Sequence, residues 1–565
     1  MRRVLPIALL GLSLIAPLAG CRAIHASADL PPTPLEDVFV SADIASPLDV
    51  EADTTPDVVT SRCERTGATA AGFSPGPYGP RRGDVAADFT IARPDGPEWQ
   101  LSDVFDGCEV IVVLVDTIPT SALDATSVWD DPGALQRLVG ASPLDVHYVF
   151  VSNDKDKAAA AERIAAMQDR VRAVVDDLDA TIAESWAVRL HVSAVRAQDM
   201  DSWLGAALTS HLRTGLAIDR DQRIHGVGSL ADVGRYDPAL QQAEAWPWEN
   251  DLAYAAHEAR YLFADHDATA ALAATSDVSL ALFDGETLSQ RAEVDVEMPA
   301  DVSGFDSLQV EVTMTCPDPD AHEFESCGPW DYLARLYVRD DEGQDVEIAR
   351  FITSYGRETH WIVDATVALP LLRSGGTRHF TWDFAPEWNP QPTATRISLH
   401  FADQDRGIHP TRLVPLFTGG PFGAGYNERE PLTVDIPATA RHVELWSLIT
   451  GHGAATAQCA EFCPHQHVFT VNGQWYLTAF AEANDDEGCI DRVGDGMVPN
   501  QGGTWWFGRG GWCPGAAVRP WVVDVSTEVV PGEPATLTYK GQLAGTDPPD
   551  DAGEIVLSSY LLIWE

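Results

Sequence analysis

The apolar positions divide the chain into two textures. Between residues 81 and 270, apolar runs alternate with segments of helical spacing. Val110 to Val115 is continuously apolar, which predicts a strand buried on both faces, and His147 to Ser152 predicts a second. From Lys157 to Leu178 an Ala-rich segment spaces Ile164, Met167, Val171 and Val175 along one helical face. Leu216 to Ile224 reads as a late strand and hairpin turn, and strands alternating with helices predict an α/β unit over 81–270. From Asp277 onward the helical period disappears. Leu308, Val310, Val312 and Met314 alternate with polar residues, as do Val443 and Leu445, so this half is antiparallel sheet with one buried face per strand. Its length predicts two packed β-sandwiches, 277–404 and 411–565.

The start of the chain has a third texture. Arg2 and Arg3 precede an apolar stretch from Val4 to Leu18, too short for a comfortable membrane span and laid out as an export signal. It ends in Leu18-Ala19-Gly20-Cys21, which resembles a bacterial lipobox. The resemblance implies a lipoprotein signal over residues 1–21 and lipid on the thiol of Cys21. Arg22, where Asp would hold the chain at the inner membrane, is similar to the pattern of outer-membrane lipoproteins. Residues 22–80 carry Asp, Glu, Pro, Ala and Thr with no sustained apolar period, and read as a disordered acidic tether.

Charge narrows the partners. Lys plus Arg number 37 against 85 Asp plus Glu, 37 − 85 = −48, which removes the electrostatic footprint for nucleic acid or anionic lipid and leaves membrane contact to the lipid anchor alone. Eight cysteines besides Cys21, in a chain read as exported, imply disulfides. Sequence does not fix pairing in general, but clustering suggests Cys316 with Cys327, Cys459 with Cys463, Cys489 with Cys513, and Cys63 with Cys108 by elimination.

The segments Gly83 to Ile91, Leu101 to Phe105 and Val110 to Val115 resemble the opening of thioredoxin-like, peroxiredoxin-related domains. The family's redox chemistry is missing. Asp116-Thr117-Ile118-Pro119-Thr120 stands where the nucleophilic cysteine motif belongs, there is no C-x-x-C, and Arg213-Thr214-Gly215 lacks the proline that usually precedes the late strand. The 81–270 unit is therefore expected to be a scaffold or docking domain, structural at Cys108 and dispensable for chemistry.

Leu282 to Gln290, Met298 to Val302, Cys327 to Asp331, Arg350 to Tyr355, Cys459 to Cys463 and Arg509 to Gly515 resemble, in order and at similar separations, the bacterial peptide-N-glycosidase F family. The resemblance implies two eight-stranded jelly rolls side by side. It also implies hydrolysis of the amide between the innermost N-acetylglucosamine of an N-glycan and asparagine, with N-glycosylated proteins or glycopeptides as partners and no cofactor. It further implies that Asp331 and Glu461 are the two essential carboxylates, meeting in the interdomain cleft, and that Trp330, Arg509 and Trp512 bind substrate. Such chemistry needs a base for water, groups that orient the amide and aromatic faces for sugars.

This chain departs from the family at two places. For a third acidic position Asp383 is the ungapped counterpart and Glu387, beside Trp388, a gapped one. His452 stands between Gly451 and Gly453 where the family has tryptophan. These changes motivate an alternative, a non-catalytic glycan-binding surface lipoprotein. A minor alternative is a metal site on Cys459, Cys463, His465 and His467, whose spacing resembles zinc ligation, while the His-x-His also resembles copper monooxygenases with paired jelly rolls.

Overall fold

The computed structural model describes residues 61–116, 126–228, 230–234, 252–453 and 459–565. The expectations for the signal peptide, Cys21, the tether before residue 61 and the segment after Asp116 lie outside the described residues.

The front unit is a five-stranded mixed sheet in the order Leu190–Val192, Val146–Val151, Val110–Val115, Gly215–Ile218, Ile224–His225. The first three strands run parallel and the last two antiparallel. Val110–Val115, an uninterrupted apolar run, and Val146–Val151, apolar apart from His147, are buried at every position, as strands covered on both faces are. Helix Lys157–Asp176 starts where Asp156 caps Ala158 N and Ala159 N, and buries Ile164, Met167, Val171 and Val174. Val175, expected on that face, is only partly buried.

Residues 61–80 correct the expected tether. Ser61 caps a short helix, Arg62–Thr66, in a reciprocal capping box with Glu64. Cys63 is bridged to Cys108, Arg62 and Arg65 pair with Asp267 and Asp145, and Ser74 N donates to Gln222 Oε1 at 2.8 Å. Acidic composition masked these anchors because two arginines and one cysteine supply them.

The second half forms two sandwiches of eight strands each, built from pairs of four-stranded sheets. In the first, Val278–Leu288, Thr393–Ala402, Ser307–Thr315 and Thr359–Asp364 form one sheet, facing Ala292–Glu297, Thr377–Asp383, Leu333–Arg339 and Asp345–Ile352. The second repeats this order. Pro410–Pro421, Glu554–Trp564, His442–His452 and Trp521–Asp524 face Leu432–Asp435, Pro534–Leu543, His465–Val471 and Gln474–Ala479. Numbered within each sandwich, the sheets read 1-8-3-6 and 2-7-4-5, the jelly-roll order.

Strand Asp345–Ile352 departs from alternation and is buried at every position but its first. The second sandwich covers its outer face. There Arg350 is held bidentately by Glu347 at 2.7 and 2.7 Å, donates to Val556 O at 2.7 Å, and Tyr560 Oη donates to Glu347 O at 3.1 Å. All four disulfides pair as the clustering suggested.

The front unit is not a separate body. Its core continues from Val110, Phe150 and Leu262 into Val493, Met497, Trp505 and Phe507, which lie on the segment of the second sandwich bridged by Cys489 and Cys513. Helix Tyr254–Thr275 lies at that junction. Removing 81–270 would expose apolar surface on the segment that carries Arg509.

Candidate active site

Asp331 and Glu461 reach one place from different sandwiches. Thr353 brackets Asp331 from behind, its Oγ1 donating to Trp330 O at 2.6 Å and accepting from Tyr332 N at 2.7 Å. The Tyr355 hydroxyl donates to Asp331 Oδ2. Glu461 sits on the one-turn helix Cys459–Phe462, closed by the Cys459–Cys463 bridge. Its Oε2 accepts from Gly453 N at 2.7 Å, and its backbone carbonyl accepts from Gly510 N at 2.8 Å.

Arg509 joins the two carboxylates. It is 1% exposed, with Nη1 donating to Phe507 O at 2.7 Å and Nη2 to Thr504 Oγ1 at 3.0 Å. Its Nε lies 3.4 Å from Glu461 Oε1, an ion pair without hydrogen-bond geometry. Burial pushes the Asp331 carboxyl above its ordinary range, while the Tyr355 hydrogen bond and the Arg509 charge pull it back. Burial likewise raises Glu461; Arg509 and Gly453 N oppose the rise, and the Asp331 charge adds to it. Burial and the same charge hold the Tyr355 phenol protonated.

The aromatic residues divide into two groups. Trp330 is 51% exposed beside Asp331, and Trp388 is 79% exposed with its ring edge-on to Tyr332 at 6.3 Å. Tyr332 is fixed by Asn389 Nδ2, which donates to its hydroxyl at 2.7 Å. These open faces suit sugar rings. Trp512 presents no such open face. It is 5% exposed, with the His452 ring nearly parallel at 5.2 Å, the Arg509 guanidinium 5.0 Å from its centroid, and its Nε1 bonded to Gly451 O at 2.6 Å. Arg509 is likewise a buried organiser of Glu461 rather than an open binding group.

His452 fills space beneath this group. Its Nε2 lies 2.9 Å from Thr450 Oγ1, which accepts from Arg350 Nη1 at 3.0 Å. Burial, with the Arg350 and Arg335 charges, pushes its imidazole down to about 3 and keeps it neutral. Asp383 ends its strand opposite Arg335 in the ladder, and Glu387 is exposed beside Trp388. Among the described residues, neither is hydrogen-bonded to Asp331 or Glu461.

The metal string is also corrected. Cys459 and Cys463 are consumed in a disulfide. His465 Nδ1 lies 2.8 Å from His467 Nε2, and His467 Nδ1 lies 2.8 Å from the Tyr539 hydroxyl, both rings being wholly buried. Both cysteines and both nitrogens of His467 are thus spent, and of this string only His465 Nε2 is left without a hydrogen-bond partner among the described residues.

Sequence reasoning did not assign roles to Tyr355, Thr353, Tyr332 or Trp388. Tyr355 closes the string from Arg350 that carried the family resemblance, and that was the available signal.

Residues 424–562 match the family described as Peptide-N-glycosidase F, C terminal. Over that stretch the chain is similar to the peptide-N-glycosidase F family. The Peptide-N(4)-(N-acetyl-beta-D-glucosaminyl)asparagine amidase F of Elizabethkingia miricola is 26% identical to it over 277 residues, 46% of this chain and 74% of that protein. The solved structure of PNGase F, a glycosylasparaginase from Flavobacterium meningosepticum, aligns at 21% identity and a TM-score of 0.42, covering 51% of this chain and 95% of that one. The family match falls on the second sandwich, where Glu461 and Arg509 lie.

Proposed function

We propose that this chain hydrolyses the amide bond between the innermost N-acetylglucosamine of an N-glycan and asparagine in glycoproteins or glycopeptides. The observation that carries the reading is the pair Asp331 and Glu461, delivered by two sandwiches to one buried arginine. Ionised Asp331 takes a proton from water, and the water oxygen bonds to the side-chain carbonyl carbon. That proton passes on to the departing nitrogen, with Glu461, whose pKa burial and the Asp331 charge raise, placed to relay it. The carbon–nitrogen bond breaks, leaving aspartate on the peptide and a glycosylamine on the glycan. Trp330 and Trp388 offer ring faces to the sugars, with Asp383 or Glu387 as a further acidic contact.

The front unit reads as a thioredoxin-like scaffold without thiol redox chemistry, supported by its parallel strands with an antiparallel hairpin and by a Cys108 already bridged to Cys63. The lipobox resemblance at Cys21 supports export as a lipoprotein of the outer membrane. Incubation with a denatured N-glycoprotein tests the activity. A gain in mobility, with conversion of the glycosylated asparagine to aspartate, is the expected result, and a modified site that stays asparagine contradicts it.

A further inference from the structure

The loop that holds Asp331 is itself held by the front unit. Thr353 and Tyr355 contact Asp331 and its neighbours, and two residues on, Arg357 leaves the loop for a buried charge cluster. Arg357 Nη2 and Nη1 donate to Glu258 Oε1 and Oε2 at 2.9 and 3.2 Å. Its Nη1 also reaches Pro499 O, and its Nε donates to Glu323 Oε2 at 2.5 Å. Glu258 lies on helix Tyr254–Thr275 and is wholly buried. Its Oε2 accepts a further bond from Asn500 Nδ2 at 2.9 Å, and the adjacent Gln501 accepts from Tyr355 N at 2.8 Å. One front-unit carboxylate therefore ties the loop from the first sandwich to the turn from the second, on both flanks of Tyr355.

We propose that Glu258 is a positioning residue for the hydrolytic centre, fixing Arg357 and Asn500 so that the Tyr355 hydroxyl meets the Asp331 carboxylate. The inference rests on the amidase reading and extends it to a residue outside the stretch that resembles the family. A buried carboxylate with three charge-assisted or amide hydrogen bonds has a single arrangement, and a loop keyed to it inherits that arrangement. The titratable and charged groups facing Asp331 are Tyr355, Arg509 and Glu461. Those facing Glu258 are Arg357, Glu323, His225 and Tyr261.

The test uses the full exported chain and a small N-glycopeptide, with kcat and KM followed against pH. Loss of the Tyr355 hydrogen bond raises the Asp331 pKa, so the acid limb of kcat should move upward in Glu258→Gln. kcat near pH 6 should fall by about 10-fold while KM stays within about 2-fold, a pattern a general loss of fold does not give. The double variant with Tyr355→Phe should shift no further than Tyr355→Phe alone, because both act through one hydrogen bond. Should Glu258→Gln fail to fold, Asn500→Gly removes one of the three bonds without changing charge, and its backbone φ of 57° suits glycine. A smaller upward shift is then expected. An unmoved acid limb in whichever variant folds overturns the placement of Glu258, while no release by the unmodified chain overturns the amidase reading and this inference with it.

Discussion

Tyr355 and Asp331 meet because the ladder of the first sandwich pairs Leu333 with Ile352. The residue two before the one strand and the residue three after the other emerge at the same end, and the Tyr355 hydroxyl donates to Asp331 Oδ2. This bond keeps the aspartate oriented and opposes the rise in pKa that burial imposes.

Replacing Tyr355 with Phe leaves burial in place and removes that opposition. The base form of Asp331 should then appear at higher pH, so the acid limb of kcat/KM should move upward, with activity recovering toward neutral pH. A profile from pH 4 to 9 checks this, and an unmoved acid limb would remove the bond from the account.

Arg509 faces both carboxylates from a site closed to solvent. Arg509→Met keeps the length and removes the charge that lowers both pKa values. Turnover at neutral pH should drop by about 100-fold or more. Arg509→Lys should not restore it, because one ammonium cannot reproduce bonds to Phe507 O and Thr504 together with the Glu461 ion pair. Comparable turnover in the Lys variant would make the role a simple point charge.

The Cys459–Cys463 bridge closes a short loop around Glu461. The double variant Cys459→Ser/Cys463→Ser should lose about 2 kcal/mol of stability and a larger share of activity, since Glu461 gains freedom at the site of chemistry. Chelator should leave the unmodified chain unaffected. Unfolding midpoints read beside turnover separate the two effects, and an active, unstapled variant would make the loop's rigidity irrelevant.

A second tie between the front unit and the first sandwich should make stability depend on pH. His360 lies between Asp265 on helix Tyr254–Thr275 and Glu311, at 2.6 and 3.0 Å. Burial alone would lower its pKa, but the two carboxylates raise it to about 10 from 6.5. A raised pKa stabilises fully below the unfolded value, and the gain is lost as pH rises through about 10. Melting temperature should therefore fall across pH 6.5 to 10 more steeply in the unmodified chain than in His360→Gln. Equal slopes would contradict the clamp.

Legibility from sequence followed the locality of the signal. Alternation at Leu308, Val310, Val312 and Met314 marks a half-buried strand because its period depends on neighbours alone, and all four are buried. Flanking strings, Trp330-Asp331 and the Cys459 to Cys463 frame, single out Asp331 and Glu461, and the structure brings them near enough for the Asp331 charge to raise Glu461. The burial of Trp512 is not legible, because an aromatic beside an acidic site has the same sequence signature whether its ring faces solvent or His452. Glu258 was invisible for a related reason. In a chain with 85 Asp and Glu, nothing local separates one solvated carboxylate from one buried against Arg357, 99 residues away.

The central claim is water attack on the side-chain carbonyl carbon, driven by Asp331. It is tested most directly by digesting an N-glycopeptide in heavy-oxygen water and reading both products by mass spectrometry. The account predicts one heavy oxygen in the carboxylate of a new aspartate, an intact glycan carrying its innermost N-acetylglucosamine, and loss of both products in a folded Asp331→Asn variant by about 100-fold or more. Cleavage that leaves N-acetylglucosamine on asparagine, or full turnover by Asp331→Asn, would contradict it.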